Sequence, residues 1–115
     1  MMSSYVEAAP GQNEALIQDP KNLEYGRWEP IEKITEYVEE IGRFAVMEHN
    51  QQSGEHLKFI CVLRGWSQLV AGTNYRLIIN ARNDVGLAWN YEAMVYDKPW
   101  EKTWKLIEFI PLLKN

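Results

Sequence analysis

The chain has 115 residues, the usual size of one compact domain, and 46% of them are apolar against 24% charged. That balance supports a core and excludes disorder throughout. With a net charge of −4 and twelve scattered Lys and Arg residues, it offers no clustered basic surface, so nucleic acid is not an expected partner.

Residues 1–24 have few large apolar groups and two prolines, and read as a flexible N-terminal tail. Met1 to Gly11 lacks the apolar middle of a signal peptide, and no run approaches the roughly 18 apolar residues of a membrane span. A soluble chain is expected, secreted or cytoplasmic, with no membrane partner. The compact domain is assigned to residues 25–115, and residues 26–30 are candidates for a short first strand. From Pro30 onward Ile31, Ile34, Val38, Ile41 and Ala45 recur at spacings of three and four, which predicts an amphipathic helix. Glu32, Lys33, Glu36, Glu39, Glu40 and Arg43 solvate its other side. Gly42 either lets another backbone approach or costs about 1 kcal/mol against alanine. The helix should end between Asn50 and Gly54, where Asn, Gln, Ser and Gly replace the periodic residues.

Beyond Gly54 the period becomes two. Leu57, Phe59, Cys61 and Leu63 are expected on one face of a strand, and Tyr75, Leu77, Ile79 and Ala81 on one face of a second. Asn83-Asp84-Val85-Gly86 reads as a turn. A third strand places Trp89, Tyr91, Ala93 and Val95 together and breaks at Asp97-Lys98-Pro99, and Thr103 to Ile110 reads as the last strand. The fold class is α+β: an antiparallel sheet of four to five strands wrapped around one long helix.

Two connections depart from what the fold alone requires. The stretch Gly65 to Asn74 lies between strands, yet centres on Leu69-Val70-Ala71 rather than on turn residues. Either the strands run longer than they seem, or this is an exposed apolar tip shaped for a partner's cleft. Pro99-Trp100 lies in a later connection that strand alternation brings to the same end of the sheet. A Trp on a Pro-rigidified turn is a good anchor, unless it folds back to cap the core.

These residues resemble the plant cystatins, inhibitors of papain-like cysteine proteases. Gln68 to Gly72, QLVAG, matches the family's Q-x-V-x-G loop, and Pro99-Trp100 matches its second-loop Pro-Trp. Ile41-Gly42-Arg43-Phe44-Ala45-Val46, continuing through Glu48-His49-Asn50, is similar to the helix signature of the plant branch. Gly26, with Trp28-Glu29-Pro30-Ile31, resembles the N-terminal trunk. The likeness runs from about Gly26 to Phe109. Arg27 stands where the family usually has a second trunk glycine, which implies a stiffer hinge. With Asn115 as the last residue, the extra C-terminal domain of some members is not expected.

The resemblance implies a wedge: the trunk and two hairpin loops enter a protease's active-site cleft and block it without any reaction. Tyr25, Gly26, Gln68, Leu69, Val70, Ala71, Gly72, Pro99 and Trp100 are the implied protease-binding residues. Val70, Ala71 and Gly72 are small enough for a narrow groove, Gln68 can hydrogen-bond at the loop base or to the protease, and Tyr25 could fill an apolar subsite. The expected behaviour is reversible, competitive inhibition of papain-like cysteine proteases. A monomer is expected, with a domain-swapped dimer as the alternative.

Rival readings are weaker. Cys61 sits mid-strand where a small hydrophobe belongs, and one cysteine excludes an internal disulfide and a cysteine-based metal site. His49 and His56 read as solvated rather than as a base for Cys61. Hence no catalytic residue, metal ligand or cofactor is assigned. A small-molecule module lined by Trp89, Tyr91 and Trp104 would need an internal cavity, and a recognition scaffold would need loops aimed elsewhere.

Overall fold

Thr35 decides where the helix begins. In the computed structural model, which describes residues 26–113, its hydroxyl accepts the Val38 N–H at 3.3 Å and caps α1 (Glu36–Ser53). The periodicity had placed the start near Pro30, and the structure corrects that. Ile31 donates its N–H to the Gly65 carbonyl at 2.8 Å, so it continues the sheet and cannot enter the helix. Ile31 and Ile34 still pack against the core, from the connection rather than from the helical stripe. The predicted end holds: Gly54 caps α1 at φ 82° and donates to the Asn50 carbonyl at 2.8 Å. The Asn50 side chain then grips Leu57 through both its N–H and its carbonyl, tying the helix end to the next strand.

The strands are β1 (Trp28–Pro30), β2 (Lys58–Val70), β3 (Gly72–Arg82), β4 (Ala88–Lys98) and β5 (Thr103–Pro111), with a 3-10 turn at Pro99–Glu101. They form one five-stranded sheet in chain order, every neighbouring pair antiparallel. Between β3 and β4 the Asn83 carboxamide accepts the Val85 and Leu87 N–H groups, which makes the expected turn.

α1 packs Val38, Ile41, Ala45 and Val46 onto Val62, Leu77, Ile79, Ala81, Ala93 and Val95. Ile41, Leu77, Ile79 and Val95 are the largest fully buried side chains, each contributing about 1.5–3 kcal/mol. In β3 and β4 the alternation is the predicted one. In β2 it is not: the register skips at Ile60 and at Leu63, both of which are exposed. Two bulges therefore put Phe59, Val62 and Gly65 opposite the buried Ala81, Ile79 and Leu77. Each bulge bends the strand, which helps the sheet curve around α1. Gly42 serves close approach, because a Cβ there would lie 2.6 Å from Val62 Cγ2 and 3.0 Å from Phe59 Cε1.

Candidate functional site

Three segments meet at one end of the sheet. Trp28 pairs with Gln68, Gln68 with Asn74 and Asn74 with Tyr96, while Thr73 pairs with Asp97 and Asp97 with Trp104. This register brings the chain after Gly26, the β2–β3 hairpin and the β4–β5 turn into one row. Side chains then lace them together. Gly26 donates its N–H to the Leu69 carbonyl at 2.9 Å, and the Gln68 amide donates back to the Gly26 carbonyl at 2.9 Å. The other end of that amide accepts from Asn74 Nδ2 at 2.9 Å. Gln68 is thus engaged at the loop base, one of its two expected roles.

The hairpin tip is narrower than its sequence suggests. The strands run up to Val70 and resume at Gly72, so the tight turn lies inside the apolar motif. Of the three apolar residues expected to be exposed, Leu69 is 44% accessible, but Val70 and Ala71 are only 8% and 4%. The reason is β4. The Tyr96 hydroxyl donates to the Ala71 carbonyl, and Gly72 lies so close that a Cβ would sit 2.5 Å from the Asp97 carbonyl oxygen. With φ at +96° as well, position 72 requires glycine on two counts.

Trp100 does not fold back. It is 60% exposed on the 3-10 turn, which closes through Lys102, left-handed at φ 52°, donating to the Pro99 carbonyl at 3.0 Å. Below the turn lies a polar relay that sequence reasoning missed. Tyr37, in the first turn of α1, donates to the Asp97 carboxylate at 2.5 Å, and Trp104 Nε1 donates to the Tyr37 hydroxyl at 3.3 Å. Burial, the bond to Asp97 and its charge push Tyr37 above its ordinary value, with Trp104 opposing. Burial pushes Tyr75 up to about 12, and the Asp97 charge adds to it. The available signal was a polar residue at an inward strand position: Asp97, two residues after Val95, is 4% exposed.

In the trunk, Gly26 has a left-handed φ of +83° and is exposed. Among the described residues Lys102 is the one non-glycine with positive φ, so Arg27 carries no such strain. Tyr25, the remaining implied binding residue, lies outside the described residues.

A family profile, SQAPI, described as aspartic acid proteinase inhibitor, matches residues 31–112. Cysteine proteinase inhibitor 1 of Actinidia chinensis var. chinensis is 45% identical over 86 residues, covering 74% of this chain and 73% of its own. Cysteine proteinase inhibitor 5 of Arabidopsis thaliana is 48% identical over 87 residues, covering 75% of this chain and 71% of its own. The chain belongs to the plant cystatin family. The fold of this cystatin is similar to that of a salivary cystatin from the soft tick Ornithodoros moubata, at a TM-score of 0.67 and 18% identity over 76% of this chain and 98% of that one. Dimeric human cystatin F matches at a TM-score of 0.65 and 15% identity, over 78% of this chain and 89% of that one.

Elsewhere in this cystatin the rival residues have structural partners. His49 is not simply solvated: its ring stacks on Phe109 at 4.1 Å and meets Glu55 at 2.8 Å. His56, by contrast, is exposed and lies 3.6 Å from Asp84. Cys61 is half-buried at the edge of the first bulge. Trp104 packs edge-on against Tyr37 and Phe44, and Tyr91 stacks on Phe109. A surface cleft of 440 Å³, lined by Gly54–Leu57, Asn83–Val85 and Tyr91, lies at the opposite end of the sheet. Among the described residues no cluster of three or more His, Cys, Asp or Glu could hold a metal.

Proposed function

We propose that this cystatin is a reversible, competitive inhibitor of cysteine proteases of the papain-like class, and not an enzyme. It acts by occlusion: the trunk at Gly26, the Gln68–Gly72 hairpin and the Pro99-Trp100 turn enter the active-site cleft side by side. Leu69 and Trp100 supply the apolar contacts, and the buried Val70 and Ala71 keep the tip narrow. Tyr25, next to Gly26, fills a neighbouring apolar subsite. The observation that carries this reading is the lacing of Gln68 to Gly26 and Asn74, which holds the trunk against the hairpin before any partner arrives. Preformed loops lose little entropy on binding, so a short edge can still bind tightly. The relatives' printed name, cysteine proteinase inhibitor, supports the same target class. The inhibitor acts as a monomer.

The profile description favours a second reading, an aspartic proteinase as target. Its matched span, 31–112, includes both loops. One experiment decides between the two. Papain and pepsin are each titrated with the intact chain and with a Leu69→Asp, Trp100→Ala double variant. Stoichiometric competitive inhibition of papain that collapses in the folded double variant is expected. A well-folded chain that leaves papain untouched overturns the first reading, and inhibition of pepsin alone establishes the second.

A further inference from the structure

The Pro99–Glu101 turn is stiff internally. Lys102 closes it onto Pro99, Thr103 Oγ1 donates to the Glu101 carbonyl at 2.9 Å, and Lys98 Nζ lies 3.5 Å from Glu101. Such a unit moves as a body, and its remaining freedom is tilt about its two stems. Asp97 is the last residue but one of one stem and Trp104 the second residue of the other, and the two are paired across the ladder. One side chain touches both. The Tyr37 hydroxyl donates to Asp97 and accepts from Trp104, while its ring meets the Trp104 ring edge-on at 5.7 Å and 77°. Phe44 backs Trp104 from the next turns of α1 at 5.6 Å. Tyr37 itself is fixed by a helix whose start is capped at Thr35.

We propose that Tyr37 is the positioning residue of the Trp100 turn: its hydroxyl clamps both stems to the start of α1 and sets the angle at which the exposed indole is presented. Tyr37 is 48% exposed, yet its hydroxyl bonds the carboxylate of Asp97, a residue that is 4% exposed and lies in the stem. The inference concerns the Trp100 arm of the wedge and rests on the wedge reading above. It predicts that Tyr37 contributes to inhibition without touching the protease.

The test has two readouts. In the free, full chain, 15N relaxation of the Trp100, Glu101 and Lys102 amides and of the Trp100 indole reports tilt. Tyr37→Phe keeps the ring and removes the hydroxyl, and these groups are expected to gain mobility while the Leu77 and Ile79 amides do not. Papain dissociation should quicken by about tenfold in Tyr37→Phe, and by less than about twofold when the same change is made in the Trp100→Ala background. Asp97→Asn, which retains a neutral acceptor, is expected to keep the turn ordered. Turn amides as rigid in Tyr37→Phe as in the parent would overturn the proposal, as would an equal loss of affinity in both backgrounds. If Trp100→Ala leaves papain inhibition intact, the wedge reading fails, and the relaxation data on the free chain still decide the role of Tyr37.

Discussion

Gln68 and Gly26, 42 positions apart, are joined by a 2.9 Å hydrogen bond from a side-chain amide to a backbone carbonyl. The bond makes one hairpin residue the latch of the N-terminal segment, because the same amide also holds Asn74 across the hairpin. Gln68→Ala should therefore free the chain at Gly26, at a cost of about 1 kcal/mol in global stability. Faster amide exchange at Gly26 and weaker papain inhibition are the expected results. Unchanged exchange at Gly26 would show that the latch does not hold it.

Leu69 and Val70 are neighbours with opposite roles. Leu69→Ala should leave the urea midpoint unchanged and weaken inhibition, since Leu69 is 44% exposed at the tip. Val70→Ala removes a side chain that is 8% exposed and should cost about 1–2 kcal/mol of stability. Parallel urea melts and inhibition assays of the two variants separate these effects.

Gly72 and Gly86 both have positive φ, at 96° and 87°, yet their surroundings differ. At Gly86 an added Cβ meets nothing within 4 Å, so Gly86→Ala should cost only the left-handed strain of about 1–2 kcal/mol. At Gly72 the same atom would come within 2.5 Å of the Asp97 backbone oxygen. Gly72→Ala should therefore be clearly more destabilising than Gly86→Ala, and should shift the amide resonances of Tyr96 and Asp97.

Gly42→Ala sets helix propensity against packing. Alanine gains about 1 kcal/mol in a helix interior. Here its Cβ would lie 2.6 Å from Val62, and overpacking of this kind costs about 1–3 kcal/mol. A net loss is expected, and partial recovery in combination with Val62→Ala would identify the clash as its cause.

Alkaline pH should destabilise the protein through its partly buried tyrosines, Tyr75 above all. Tyr75 is raised to about 12 from 10.0, first by burial and then by the Asp97 and Tyr37 charges. The unfolded chain releases this proton near pH 10, while the folded chain holds it until about 12. Stability is therefore full below pH 10 and falls as pH rises towards 12. Tyr37 and Tyr91, also raised by burial, act in the same direction. Urea melts across this range should show the decline, and Tyr75→Phe should flatten it.

Local pattern was enough for much of this fold. The helix stripe from Val38 to Ala45, the Gly54 cap, the unbroken alternation of Leu77, Ile79 and Ala81, and the loop motifs at Gln68–Gly72 and Pro99-Trp100 all depend on residues close in sequence. Misreadings arose where a distant partner overrode the local period. Ile31 and Ile34 fit the helical spacing, but Gly65 holds Ile31 in the sheet. Leu63 fits the alternation of β2, but the bulges turn it outward so that β2 can follow the helix at Gly42.

At the candidate site the same division applies. The turn glycine, the small tip residues and the Pro-Trp pair were all legible from local pattern. What those loops expose depends on contacts between distant elements. Val70 and Ala71 are covered because the tip folds onto Tyr96 and Asp97, Gln68 is committed to Gly26, and Trp100 hangs on stems clamped by Tyr37. Each of these contacts joins residues far apart in the chain, and its geometry depends on strand register and on helix placement. Neither is encoded in any short stretch of residues, because both result from packing one sheet around one helix.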